Sequence, residues 1–261
     1  MSSPPETSLS TELYFDLLKR SLTNTIFGIE PDAGQTETAR YVQAAIAHYQ
    51  QGAAVSMLPL VRMDNLQSCI MDVIHHGVPG DLVETGVWRG GATIFMRAVL
   101  KVMNVTDRVV WAADSFEGLP EPDAEKFPRE AQAFKSAAMT KYYNHLAVSL
   151  EEVKRNFEAY KMLDEQVKFL KGWFKDTLPT APIGAIAVLR LDGDYYESTR
   201  DALTNLYDKV SVGGYVIVDD YGEDAWTYCR KAVDEFRQER GITDELVKVD
   251  KPCSFWRKTK R

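Results

Sequence analysis

The sequence predicts an α/β protein built on a seven-stranded sheet, mostly parallel and finished by a C-terminal antiparallel hairpin. Three observations carry that prediction. From Asp81 onward, short apolar runs alternate with stretches at helical spacing, the signature of strands joined by helical crossovers. The last two apolar runs are joined tightly through Pro252, a connection too short for a parallel crossover. Two successive runs also stop at paired acids, Asp192 with Asp194 and then Asp219 with Asp220, as strands do when their ends meet at a ligand-binding edge.

The elements follow in order. Residues 1–10 are polar and rich in Ser, Thr and Pro, and read as a disordered tail. Thr11 is a candidate N-cap for a helix bearing Leu13, Tyr14, Leu17 and Leu18. Residues 37–50 and 63–77 are also helical in pattern, the latter with Leu66, Cys69, Ile70 and Ile74 on one face. Residues 11–77 therefore form an N-terminal helical extension, and 78–261 the α/β domain. Within that domain, strands are expected at 81–86, 108–116, 167–172, 185–194, 215–220, 245–251 and 253–258. Helices are expected at 90–103, 150–163, 198–210 and 225–241. The stretch of about 117–148 breaks the rhythm. An insertion of that length after a strand's carboxyl end is expected to act as a lid over a site.

Composition excludes several function classes. The 261-residue chain is 45% hydrophobic and 26% charged, with a net charge of −7. That acidity argues against nucleic-acid binding through a basic face. No apolar run approaches the ~20 residues of a membrane span, and the N-terminal stretch lacks a signal-peptide pattern. Cys69, Cys229 and Cys253 are scattered and odd in number, as free thiols in a reducing cytoplasm would be. The outward apolar helix near Leu13 predicts a homo-oligomer, taken as a dimer.

The chemistry lies at the strand ends. Gly86, Gly90 and Gly91 let the backbone turn sharply after the first strand and approach a ligand, but their spacing is not that of a dinucleotide fingerprint. Glu84 sits in an apolar strand, where an acid is costly unless paired; a ligand ammonium is one natural partner. Asp114 ends the second strand, the position from which an acid accepts ribose hydroxyls, with Ser115 beside it as a candidate cap. A nucleoside bearing an amine, without a pyrophosphate, describes S-adenosylmethionine better than NAD or ATP. Gly172 and Trp173 reach the same edge from the third strand. Asp192, Asp219 and Asp220 would repel one another there unless a hard divalent cation such as Mg²⁺ lay between them. Such a cation activates a hydroxyl as a nucleophile.

The stretches "VPGDLVETGVWRGGA", "ADSFEGLP", "GWFKDTLP", "LRLDGDYYEST" and "GGYVIVDDY" resemble the macrocin O-methyltransferase (TylF-type) family, from about Leu13 to Trp256. The resemblance implies a Rossmann-like class I methyltransferase fold and Mg²⁺-dependent methyl transfer from S-adenosylmethionine to a sugar hydroxyl of a glycosylated natural product, of macrolide or aminocoumarin type. It implies that Glu84, Thr85, Gly86 and Trp88 line the methionine and glycine-turn region, that Asp114 and Ser115 serve the ribose, and that Gly172 and Trp173 lie near the adenine. Asp192, Asp219 and Asp220 would hold the metal, with Asp192 also the base. Whether Asp194 shares that role stays open. "MTKYYNH" in the insertion is a candidate acceptor contact. A catechol-like phenol is the alternative acceptor, since it needs the same metal and cosubstrate. A non-catalytic protein on the same fold has little reason to collect repelling carboxylates.

Overall fold

The computed structural model describes residues 8–27, 54–136, 144–222 and 227–260. Helix α1 spans Leu9–Leu22 and α2 spans Leu60–His75. Then come β1 (Asp81–Thr85), α3 (Gly91–Val102), β2 (Val110–Asp114), α4 (Pro128–Lys135), α5 (Leu150–Ala159), β3 (Val167–Lys171) and the short α6 (Phe174–Thr177). The chain finishes with β4 (Ile186–Leu191), α7 (Tyr196–Leu206), β5 (Val210–Val218), α8 (Thr227–Glu239), β6 (Val247–Lys248) and β7 (Ser254–Arg257).

The sheet has seven strands in the order β3-β2-β1-β4-β5-β7-β6. All pairings are parallel except those of β7, which runs antiparallel to β5 and to β6. The predicted sheet and its hairpin are therefore present. The order reverses between β1 and β4, which opens a crevice at their carboxyl ends. Strand residues alternate between two cores. Leu82, Ala112, Val188 and Ile217 meet α1, α2, α3 and α5 on one face. Val83, Ala113, Leu189 and Val216 meet α7, α8 and Trp256 on the other.

Several boundaries differ from the sequence reading. Ser8, not Thr11, caps α1: its hydroxyl accepts from the Thr11 amide at 3.2 Å, so the helix begins inside the stretch expected as a disordered tail. Strand β5 starts at Val210, five residues early. Gly213, at φ +88°, absorbs a register shift between β4 and β5 that no apolar pattern announces. Strand β4 stops at Leu191, which frees Asp192 and Asp194 from the ladder. The first hairpin strand shrinks to Val247–Lys248. The helix expected at 37–50, and most of the "MTKYYNH" stretch, lie outside the described residues.

The N-terminal extension packs onto the domain. Phe15 and Leu22 are fully buried and Leu18 nearly so, with the Phe15 ring against Phe95 at 5.9 Å. Leu9, Leu13 and Leu17, at successive i,i+4 positions, stay outside. Leu18 thus belongs to the inner face, and only part of the expected outward stripe remains. Among the described residues, no helix is long and apolar enough to cross a membrane.

Candidate active site

Parallel pairing continues one step past the strand ends and sets the site residues in a row. The Gly172 amide donates to the Asp114 carbonyl, Gly86 to Ala113, Asp192 to Thr85 and Asp219 to Leu191, each at 2.9 Å. The sheet thus delivers to one edge the residues singled out at five separate strand ends.

Two cavities open along this edge. The larger, about 670 Å³, is lined by Gly86, Asp114, Ser115, Trp173 and Asp192, and roofed by insertion residues including Leu119 and Phe127. The smaller, about 40 Å³, is lined by Glu84, Trp88, Arg190, Asp192, Asp194 and Asp220, with Ser56 and Met57 opposite. Gly86 and Asp192 border both. Thr85, Gly90 and Gly172 line neither. Thr85 is buried in the sheet, and Gly90 serves as the left-handed N-cap of α3 at φ +88°.

Backbone strain gathers here. Trp88, Phe116 and Asp194 adopt left-handed φ values of 47°, 56° and 58°, each costing about 1–3 kcal/mol for a non-glycine residue. Asp114 holds the turn together: its carboxylate accepts from the Val87 and Phe116 amides, both at 2.7 Å. Burial raises its pKa and these amides oppose the rise. Ser115 does not cap a helix. Its hydroxyl donates to the Gly118 carbonyl at 2.8 Å and closes a turn under the insertion. The insertion is fastened over the cleft by Phe127, stacked on Tyr196 at 4.7 Å, and by Glu130, which accepts from the Tyr196 amide at 3.1 Å. Burial pushes the Glu130 carboxyl up to about 7.

The acids divide differently from the sequence expectation. Ligand oxygens of Asp192, Asp194 and Asp220 all lie within 4.8 Å of one another. Asp219 stands outside this group because two guanidiniums hold it: Arg62 Nη1 lies 2.5 Å from Oδ2 and Arg190 Nη2 lies 2.6 Å from Oδ1. Burial would raise the Asp219 pKa, but the two arginines outweigh it and bring it below the usual carboxylate value. Its neighbour Asp220 lacks that compensation. Burial, then Asp194, Asp192 and Asp219, drive its pKa well up. Burial pushes Asp192 up to about 8, with Arg190 opposing and Asp219, Asp194 and Glu84 adding to the rise. Three converging hard oxygen donors form a set that fits a divalent cation.

Glu84 borders the smaller cavity and is also engaged inside the protein, where one oxygen accepts from Arg190 Nη1 at 2.6 Å and the other from the Thr93 hydroxyl. The start of α3 is partly capped within the protein: the Gly91 amide donates to the Val55 carbonyl at 2.9 Å. Sequence reading missed Arg190 and Arg62. Arg190 had a signal. It interrupts the apolar run "AVLRL" as Glu84 interrupts "DLVET", and the two are register partners on adjacent strands. Arg62 had none, since it arrives from the extension.

Comparison with known proteins places this geometry. The profile of the family described as "Macrocin-O-methyltransferase (TylF)" matches residues 11–258. The chain belongs to that family. It is 47% identical, over 98% of its length and 97% of the relative's, to the demethyldecarbamoylnovobiocin O-methyltransferase of Streptomyces niveus. It is 49% identical, over 95% of its length and 93% of the relative's, to the 8-demethyl-8-(2,3-dimethoxy-alpha-L-rhamnosyl)-tetracenomycin-C 4'-O-methyltransferase of Streptomyces olivaceus. The solved structure of the O-methyltransferase NovP superposes with a TM-score of 0.80 at 48% identity, covering 95% of this chain and 99% of that one. This macrocin-family chain is an O-methyltransferase with a class I methyltransferase fold.

Proposed function

We propose that this macrocin-family enzyme transfers a methyl group from S-adenosylmethionine to a sugar hydroxyl of a glycosylated natural product, with Mg²⁺ at Asp192, Asp194 and Asp220. The observation that carries the reading is the shared border of the two cavities. Asp192 faces the nucleoside-sized cleft on one side and the acid cluster on the other. A methyl donor and an activated hydroxyl must meet at such a border. A relative 49% identical is named for a rhamnosyl 4'-hydroxyl, which supports a sugar acceptor.

The residues divide the work. The larger cleft falls in the volume range of small-molecule sites, with Asp114 and Ser115 toward the ribose and Trp173, just after the Gly172 turn, toward the base. S-adenosylmethionine, the second substrate in this reading, supplies an electrophilic methyl group. A divalent cation in the carboxylate cluster supplies Lewis acidity toward a hydroxyl. Asp192 receives the hydroxyl proton as the acceptor oxygen takes the methyl by direct displacement, with no covalent enzyme intermediate. Arg190, donating to Asp192 at 2.9 Å, fixes its orientation. The insertion roofs the cleft and serves as a lid.

Two sets of measurements test this. Thermal-shift titration should show stabilisation by S-adenosylhomocysteine and none by NAD; methyl transfer should then reach rhamnosyl-type glycosides and not catechols. Transfer to catechols alone would reassign the acceptor. The second is a pH experiment. Carboxyls whose folded pKa lies above the unfolded value bind more protons when folded, so their contribution to stability falls as pH rises. For Asp192 that window runs from about 4 to about 8. The gain in melting temperature on adding Mg²⁺ to EDTA-treated protein should therefore be larger at pH 8 than at pH 6. An equal gain at both would contradict cation binding at these acids.

A further inference from the structure

Arg190 is the feature that the methyl-transfer reading leaves least explained. It lies on β4, is 2% exposed, and sits behind the border between the cavities. Nη1 donates to both Glu84 (2.6 Å) and Asp192 (2.9 Å), and Nη2 lies 2.6 Å from Asp219. A buried arginine shared among three carboxylates makes a directional fork that a single ammonium cannot copy. The contacts continue on the far side. The second Glu84 oxygen accepts from the Thr93 hydroxyl, and Thr93 lies in the first turn of α3, directly after the glycine turn. A continuous chain of bonds, Asp192–Arg190–Glu84–Thr93, thus joins the acid cluster to the helix that follows the glycine turn, and Gly86 of that turn lines the larger cleft. Along it, only Asp192 belongs to the converging acids. Arg62 braces the assembly from behind, holding Asp219 and, through Nε at 2.7 Å, Asp250 beside the hairpin.

We propose that Arg190 is a positioning residue that couples occupancy of the acid cluster to occupancy of the nucleoside cleft. The inference rests on the two-ligand reading above. In the ligand-free protein, Nη1 divides its hold between Asp192 and Glu84. A cation that draws on the Asp192 carboxylate weakens its claim on Nη1, which then binds Glu84 more firmly. Through Thr93 that stiffens the first turn of α3 and the glycine turn before it. The cleft is then better formed for the donor, and the same ordering runs in reverse when the donor binds first. Coupling of this kind is reciprocal and positive.

The test uses Mn²⁺ as the metal probe and S-adenosylhomocysteine as the donor probe, by calorimetry on the full chain. In the unmodified protein, saturating S-adenosylhomocysteine should tighten Mn²⁺ binding about fivefold or more, and saturating Mn²⁺ should tighten S-adenosylhomocysteine by the same factor. Arg190→Lys should reduce that factor to below about twofold. Thr93→Val, which keeps the shape and touches neither probe, should reduce it likewise while each single-ligand affinity moves by less than about threefold. Circular dichroism melts confirm that both variants fold, and Thr93→Val decides the question if Arg190→Lys does not. A coupling factor of one in the unmodified protein, or one unchanged in the folded variants, overturns the inference and leaves the two-ligand reading intact. Failure of either probe to bind the unmodified protein overturns both.

Discussion

Asp192→Asn should lower turnover by about 10²–10⁴-fold, the range for loss of a positioned general base, while S-adenosylhomocysteine affinity stays within about threefold. Asparagine keeps the side-chain shape and can still accept a hydrogen bond from Arg190. It cannot take a proton from an acceptor hydroxyl, and it is a poorer ligand for a hard cation. The carboxyl's environment suits the role. Arg190 holds the carboxylate from 2.9 Å at the border of the two cavities, where a donor and an acceptor hydroxyl would meet. Steady-state kinetics beside a calorimetric titration separates the two effects. A loss of turnover matched by an equal loss of cosubstrate affinity would assign Asp192 to donor binding instead.

Gly86→Ala should be the most damaging glycine-to-alanine change among the described residues. Gly86 has φ +84°, and an added Cβ would stand 1.7 Å from the Asp192 backbone oxygen. The obstructing atom is main chain, and Asp192 is tied to β1 through its amide on the Thr85 carbonyl, so it has little freedom to retreat. Overpacking of this kind costs about 1–3 kcal/mol or more, and the left-handed backbone adds about 1–2 kcal/mol. At ~2–4 °C per kcal/mol for domains somewhat smaller than this chain, the melting temperature should fall by several degrees. The change also forces apart the border shared by both cavities, so S-adenosylhomocysteine affinity should drop at least about tenfold. Gly77→Ala is the control: Gly77 has φ +61° and nothing within 4 Å of its added Cβ. It should show the backbone cost alone, with cosubstrate affinity unchanged. Equal stability losses in the two variants would show that the Gly86 contact relaxes.

Much of this was legible in the sequence, for physical reasons. Strands buried on both faces read as continuous apolar runs, so β1, β2, β4 and β5 announced themselves, and the glycine turn and terminal acids marked which ends faced the ligand edge. What stayed hidden depends on how charges pair across the fold. Asp219 and Asp220 are adjacent in sequence and look equivalent. They differ because Arg62, arriving from the extension across 157 positions, reaches only one of them. Glu84 signalled correctly that a buried acid needs a partner, and the fold supplies one in Arg190 on the neighbouring strand. Asp194 was left open in the sequence because its role follows from a left-handed turn after β4, and no residue pattern there separates a helix cap from a cluster ligand. The early start of β5 was missed because the two glycines in "VSVGGY" look like a turn when they in fact absorb a bulge.

In the proposed mechanism, methyl transfer depends on a metal held by Asp192, Asp194 and Asp220. Turnover of a rhamnosyl-type glycoside with S-adenosylmethionine, measured after exhaustive EDTA treatment and again after adding Mg²⁺, tests it most directly. Activity should be lost on chelation and recovered on Mg²⁺ addition. Full turnover in the metal-free preparation would contradict it.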